Sequence, residues 1–211
     1  MKQVTIIDYG IGNLLSVRRA FEYVGAEVII SDNAADILKA EALILPGVGA
    51  FANGMKELRD RGFVKPIIDY CFQNRPFLGI CLGMQMMMDS SDEFGFHEGL
   101  GIIPGTVQKI PEKGMDGKVH RIPYIGWNEI KSSGETWQGS LLEGVEPETA
   151  VYFVHSYSAV PALAENKLAE AEYDGCIISA VIRKGNAYGC QFHPEKSGAV
   201  GLRIIKNFVE L

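Results

Sequence analysis

Phe77-Leu78-Gly79-Ile80-Cys81-Leu82-Gly83-Met84-Gln85 decides how this chain is read. Four apolar or small residues, 77–80, have the length and composition of a buried strand, and Cys81 stands at its end. Glycines on either side of the cysteine permit a sharp strand-to-helix turn, the G-x-nucleophile-x-G elbow with cysteine in place of serine. The run 84–88, Met-Gln-Met-Met-Met, then reads as a helix whose N-terminal amides face the sulfur and favour its thiolate. A free thiol of pKa ~8.5 is only ~3% ionised at neutral pH, and a helix end contributes ~1 kcal/mol, so a base is still required. Taken alone, the segment also suits a buried structural cysteine.

Working outward toward the N-terminus, residues 4–8 form an apolar run that ends in Tyr9-Gly10-Ile11-Gly12-Asn13. Asn13 suits a helix N-cap, and Leu14, Val17, Phe21 and Val24 recur at helical spacing before Gly25, where a C′ glycine belongs. Runs 27–30 and 42–45 are further strands, with a short helix at 34–39 between them. A helical stretch over 55–70, broken near Gly62, leads into the strand that carries Cys81. Each return crossing is a helix, so these strands are expected to be parallel. Toward the C-terminus the long amphipathic helices stop. Short β-like runs at 106–110, 118–122, 127–130, 151–157, 168–173, 177–182 and 187–192 predict a more antiparallel section, with turns at Asp174-Gly175 and Lys184-Gly185-Asn186. Ile204, Ile205 and Phe208 give a closing helix. No repeat or linker marks a boundary, and one domain over 1–211 is expected.

Composition narrows the classes. Hydrophobic residues make up 47% and charged residues 22% of the 211, which suits a globular core. A net charge of −6 is the wrong sign for phosphate backbones, so no nucleic-acid partner is expected. The longest stretch without Asp, Glu, Lys or Arg, 149–164, is too short to span a bilayer, and the N-terminus lacks a signal-peptide pattern, which predicts a cytoplasmic protein with no membrane partner. Four cysteines, at 71, 81, 176 and 190, have neither disulfide-scaffold density nor C-x-x-C zinc spacing, so no metal or cofactor is expected.

Two further segments belong with the elbow. In His193-Pro194-Glu195, an extended chain would turn residues two apart to the same side, letting Glu195 hold one imidazole nitrogen while the other faces a thiol. A surface His beside a Glu is the ordinary alternative, and the elbow is what tips the reading toward a base. Leu45-Pro46-Gly47-Val48-Gly49 ends the third strand at the carboxyl edge where ligands bind. A backbone amide there, with that of Leu82, could hold an oxyanion; an ordinary turn fits equally.

Asp8 to Leu14, Pro46-Gly47-Val48-Gly49-Ala50-Phe51, Gly79 to Gln85, Gly126-Trp127-Asn128, Tyr152 to Tyr157 and Gln191 to Ser197, in this order, resemble the class I, triad-type glutamine amidotransferases. The resemblance spans the whole chain. It implies a flavodoxin-like open, mainly parallel sheet flanked by helices, with an additional antiparallel section in the C-terminal half. It implies a Cys81-His193-Glu195 triad that hydrolyses L-glutamine to glutamate and ammonia through a thioester. Gly47, Val48, Gly49 and Leu82 would form the oxyanion hole, and Gln85, Glu93, His155, Ser156 and Tyr157 would contact the substrate; Glu93 equally suits a solvated acid. Met84 and Val48 direct the finer match to glutaminase subunits that feed a separate (βα)8-barrel cyclase in histidine biosynthesis, as a heterodimer with Asn13, Trp127 and Lys196 at the interface. Tyr124, where the family more often has His, departs from the pattern near Trp127. Glutaminases of anthranilate, guanylate or pyridoxal phosphate synthesis are the alternative.

Overall fold

The computed structural model describes residues 2–211. From the N-terminus, β1 (Gln3–Ile7), α1 (Leu14–Tyr23), β2 (Glu27–Ser31), α2 (Ala34–Lys39), β3 (Ala42–Gly47), α3 (Phe51–Asp60), α4 (Val64–Phe72) and β4 (Phe77–Cys81) alternate as expected. The single helical stretch read at 55–70 is two helices, starting earlier at Phe51 and separated at Gly62, whose φ of +70° ends the first. Helix α5 (Leu82–Met86) begins and ends two residues earlier than the run 84–88 implied. The Met87 and Met88 amides make tight bonds to Met84 and Gln85, three residues back.

Strands β5 (Ser90–Ser91), β6 (His97–Glu98), β7 (Gly105–Lys109), β8 (Tyr124–Ser132), β9 (Thr149–His155), β10 (Tyr157–Pro161), β11 (Lys167–Tyr173), β12 (Cys176–Lys184) and β13 (Ala187–Cys190) follow, and α6 (Gly198–Glu210) closes the chain. Nine strands make one sheet in the order β2-β1-β3-β4-β13-β12-β11-β8-β9. Its first five strands are parallel, and from β13 outward each neighbour is antiparallel. The antiparallel section thus extends the same sheet. A second sheet, β10-β7-β5-β6, packs beside it.

Two sequence readings are corrected. Residues 118–122 are not a strand: Val119 only bridges Lys113, and turn bonds such as Gly114 N–H to Lys118 O satisfy the backbone locally. The run 151–157 is not one strand either, because the chain leaves the large sheet at His155 and enters the small one at Tyr157. The imidazole Nδ1 of His155 donates to the Tyr157 carbonyl at 2.8 Å, closing that corner.

The central strands bury both faces. Ala42 and Ile44 point into a core with Val17 and Phe21 of α1 and Phe208 of α6, while Leu43 and Leu45 point into one with Phe51, Met55 and Ile67 of α3 and α4. Alternation along one strand therefore feeds two cores, which is why these strands read as continuous apolar runs. Helices on both faces leave the carboxyl edge of the parallel strands open.

Candidate active site

Cys81 has φ +54°, ψ −108°, a left-handed conformation that a side-chain-bearing residue adopts at a cost of ~1–2 kcal/mol. Packing enforces it. A Cβ on Gly83 would collide with the Leu45 carbonyl oxygen, and one on Gly79 would lie 2.7 Å from the Gly83 carbonyl. Only glycine at both positions lets α5 seat on β3 and β4, and the turn between them projects the Cys81 thiol.

The parallel pairing of β13 with β4 brings in the rest. Gly189 lies opposite Gly79 and Cys190 opposite Ile80, so the chain after Cys190 emerges beside Cys81. His193 Nδ1 stands 2.8 Å from Glu195 Oε1, and both side chains are almost wholly buried. The contact is not the extended one read from sequence: Pro194–Lys196 form a 3₁₀ turn that folds Glu195 back under the ring. Ser197 Oγ donates to the His193 carbonyl at 2.7 Å and accepts from Tyr152 N–H, pinning the turn to β9. A carboxylate partner makes Nδ1 the donor, leaving Nε2, which has no hydrogen-bond partner, on the thiol side. Burial lowers the His193 pKa, but the Cys81 sulfur and the Glu195 carboxylate together outweigh it and hold the ring at about 9. Glu195 Oε2 is buried and unpaired beside a void of about 10 Å³ that Asn13, Gly47 and Val48 also line.

A cavity of about 350 Å³ opens over the thiol, a size that suits a small polar molecule. Val48, Gly49, Leu82, Gln85, Glu93, His155, Ser156, Tyr157 and Lys196 line it together with Cys81 and His193. Gly47 does not; it lies within β3 against Tyr9 and Leu82. Glu93 Oε2 accepts from Phe51 N–H at 2.6 Å, capping α3, whose N-cap Ala50 has no side chain to do so. Burial depresses His155 to about 4, and its Nε2 is unpartnered. Asn13 caps α1 by accepting from Ser16 N–H and lies at the small void, away from the main cavity. Trp127 is 57% exposed on β8 and packs edge-on against Tyr152, outside the cavity.

Three residues near the thiol have no role that their sequence context predicts. The Tyr9 hydroxyl donates to the Pro46 carbonyl at 2.8 Å and fixes the end of β3 at Gly47. Gln191 Nε2 lies 3.8 Å from Cys81 Sγ, and the Val154 carbonyl is also 3.8 Å from it. Position two before His193 was the available signal for Gln191; nothing local marks Tyr9 or Val154. Of the other cysteines, Cys71 is pushed up to about 12 by burial and Cys190 is raised further by burial. Among the described residues no group of three or more His, Cys, Asp or Glu is placed to hold a metal ion.

Residues 5–211 match the family model for glutamine amidotransferase class-I. The chain is 53% identical, over 100% of both sequences, to the imidazole glycerol phosphate synthase subunit HisH 1 of Legionella pneumophila (strain Lens). It is 45% identical to the HisH subunit of Syntrophotalea carbinolica, covering 99% of this chain and 100% of that one. Among solved structures, PurLQS from Thermotoga maritima superposes with a TM-score of 0.72 at 16% identity, over 99% of this chain and 98% of that one, a likeness of fold alone.

Proposed function

The chain belongs to the class-I glutamine amidotransferases, and from that membership we propose that it is the glutaminase subunit of imidazole glycerol phosphate synthase. It hydrolyses L-glutamine to glutamate and passes the ammonia to a separate (βα)8-barrel cyclase in histidine biosynthesis. The observation that carries the chemistry is the buried His193–Glu195 pair, 2.8 Å apart, beside an elbow cysteine at the floor of one cavity.

Cys81 attacks the side-chain amide carbon, and the thiol proton passes to His193. The C–N bond breaks as His193 returns that proton to the leaving ammonia, leaving a thioester that water hydrolyses. With the charged Cys81 sulfur and Glu195 beside it, the ring is held at about 9, so it retains at neutral pH the proton taken from the thiol until the leaving group needs it. Glu195 fixes the tautomer and stabilises the imidazolium. The Leu82 amide and an amide of the Val48–Gly49 loop hold the oxyanion, Gly49 with its φ of +90° being free to turn that peptide. Gln85, Glu93 and the His155-Ser156-Tyr157 corner hold the amino-acid end, Glu93 countering the α-ammonium.

Ile125 and Trp127 make an apolar strip on the outer face of β8, and Lys196 stands exposed beside the triad turn. With Asn13 they form the surface for the cyclase. No helix among the described residues is long and apolar enough to cross a membrane. The complex with the cyclase is a cytoplasmic heterodimer. The test is glutamate release from glutamine, with and without the barrel cyclase and its nucleotide ligand, with mass-spectrometric trapping of the thioester on Cys81. No release under any of these conditions would end the proposal.

A further inference from the structure

One buried polar chain outside the triad ends at the reacting sulfur. Gln85 on α5 and Gln191, which follows β13, are both buried. Gln85 Nε2 stands 2.9 Å from the Tyr157 carbonyl oxygen and 3.1 Å from Gln191 Oε1, and Gln191 Nε2 stands 3.8 Å from Cys81 Sγ. A backbone carbonyl can only accept, so the end of Gln85 that meets Tyr157 must be its nitrogen. The second N–H of that nitrogen requires an acceptor from Gln191, which must present its oxygen. Gln191 therefore has its own NH₂ group left for the sulfur. Turning Gln191 over would set nitrogen against nitrogen at one end and oxygen against sulfur at the other, and both contacts would be lost.

We infer that Gln191 is a catalytic residue that donates an N–H to the sulfur of Cys81 and stabilises it as the thiolate, with Gln85 as the positioning residue that fixes the direction of the donor. A thiol sulfur is a weak acceptor and a thiolate a strong one, so a donor locked on the sulfur favours the ionised form. The Val154 carbonyl takes the proton of the resting thiol on another side, at 3.8 Å. Once that proton moves to His193, the charge left behind faces Gln191. The need is real because α5 has only five residues, so its end supplies less field than a full helix. The other ionisable groups around the sulfur are His193, from the turn after β13, Tyr9, from the segment after β1, and Glu93, His155, Tyr157 and Lys196, which line the same cavity; Glu195 acts on it through His193.

This inference rests on Cys81 as the nucleophile, and its test reads sulfur ionisation rather than turnover. In the whole chain with its partner, the rate of Cys81 alkylation by iodoacetamide is followed against pH. Gln191→Met, similar in size and without a donor, should move the midpoint up by about one pH unit, so that thiolate below the midpoint falls about tenfold. The kcat for glutamine hydrolysis should fall by a similar factor, with KM moving less than threefold. Gln191→Glu should shift the midpoint in the same direction and further, because its carboxylate repels the thiolate. In the wild-type chain, the ¹⁵N shift of the Gln191 side-chain amide should titrate with the same midpoint, a reading that needs no variant to fold. An unchanged midpoint in folded Gln191→Met, or an amide blind to Cys81 ionisation, would overturn the inference. Failure of glutamine hydrolysis in the wild type would instead overturn the proposed reaction and leave the midpoint shift standing.

Discussion

Gly79 and Gly189 stand opposite one another in the parallel ladder of β4 and β13, and together they clear the floor on which α5 rests. A Cβ on Gly79 would lie 2.7 Å from the Gly83 carbonyl, and one on Gly189 would lie 2.6 Å from Met84 Cγ. Backbone cannot give way as a side chain can. Gly79→Ala is therefore expected to destabilise the chain by ~1–3 kcal/mol and to lower glutaminase activity at least a hundredfold by displacing Cys81. Gly25→Ala, at a φ of +89° with open space around it, should cost ~1–2 kcal/mol and leave activity unchanged. Thermal melts with parallel glutamate assays separate the two outcomes.

Cys81 should be the only one of the four cysteines modified quickly by a glutamine-mimicking diazo-ketone. Only its thiol lines the cavity, whereas burial raises Cys71 and Cys190. Cys81→Ala should lower hydrolysis by a factor on the order of 10⁴ or more. An adduct on Cys71, Cys176 or Cys190 in the mass spectrum would sink the assignment.

In the proposed mechanism His193, 2.8 Å from Glu195, moves the proton while Glu195 orients and stabilises the ring. His193→Ala should therefore cost more activity than Glu195→Gln, by roughly tenfold or more. Both variants should leave cyclisation from free ammonium salts intact in the complex, since that chemistry belongs to the other subunit. Hydrolysis untouched by His193→Ala would refute the triad.

The two site histidines set opposite pH limits on stability. His155 is neutral in the fold at about 4 but takes a proton near ~6.5 when unfolded, so stability falls as pH drops from ~6.5 toward 4. His193 is held at about 9; the stability it lends is complete below ~6.5 and lost as pH rises to 9. Each limb is worth at most ~3 kcal/mol. Melting temperatures from pH 4.5 to 9.5 should flatten on the acid side in His155→Gln and on the alkaline side in His193→Gln. Parallel curves for all three proteins would contradict both assignments.

The isolated chain should be slow and the complex fast. Lys196 directly follows Glu195 on the turn that carries it, so whatever binds Lys196 also moves the triad segment. A productive state populated at ~1% in the free chain would lower turnover about a hundredfold, or ~2.7 kcal/mol. Lys196→Ala should weaken cyclase binding and blunt the activation. Equal rates with and without the cyclase would refute the switch, and unchanged affinity in the variant would take Lys196 off the interface.

What the sequence alone determined is local. Glycines around Cys81, the Asn13 cap, the helical spacing of Leu14, Val17 and Phe21, and the apolar runs of β1, β3 and β4 encode turns and periods within a few residues of themselves. The turn at Asp174-Gly175 was legible for the same reason, since both residues take positive φ. Tertiary structure decided what depends on pairing between distant segments. Nothing near residue 187 says that β13 will lie parallel to β4, yet that register alone brings His193 to Cys81. The break of 151–157 at Ser156, the failure of 118–122 to find a strand partner and the direction of the Gln85–Gln191 amides are of the same kind. Strand pairing and buried hydrogen bonding are chosen by competition among all available partners, and a chain read in order shows only the donors and acceptors, not which of them meet.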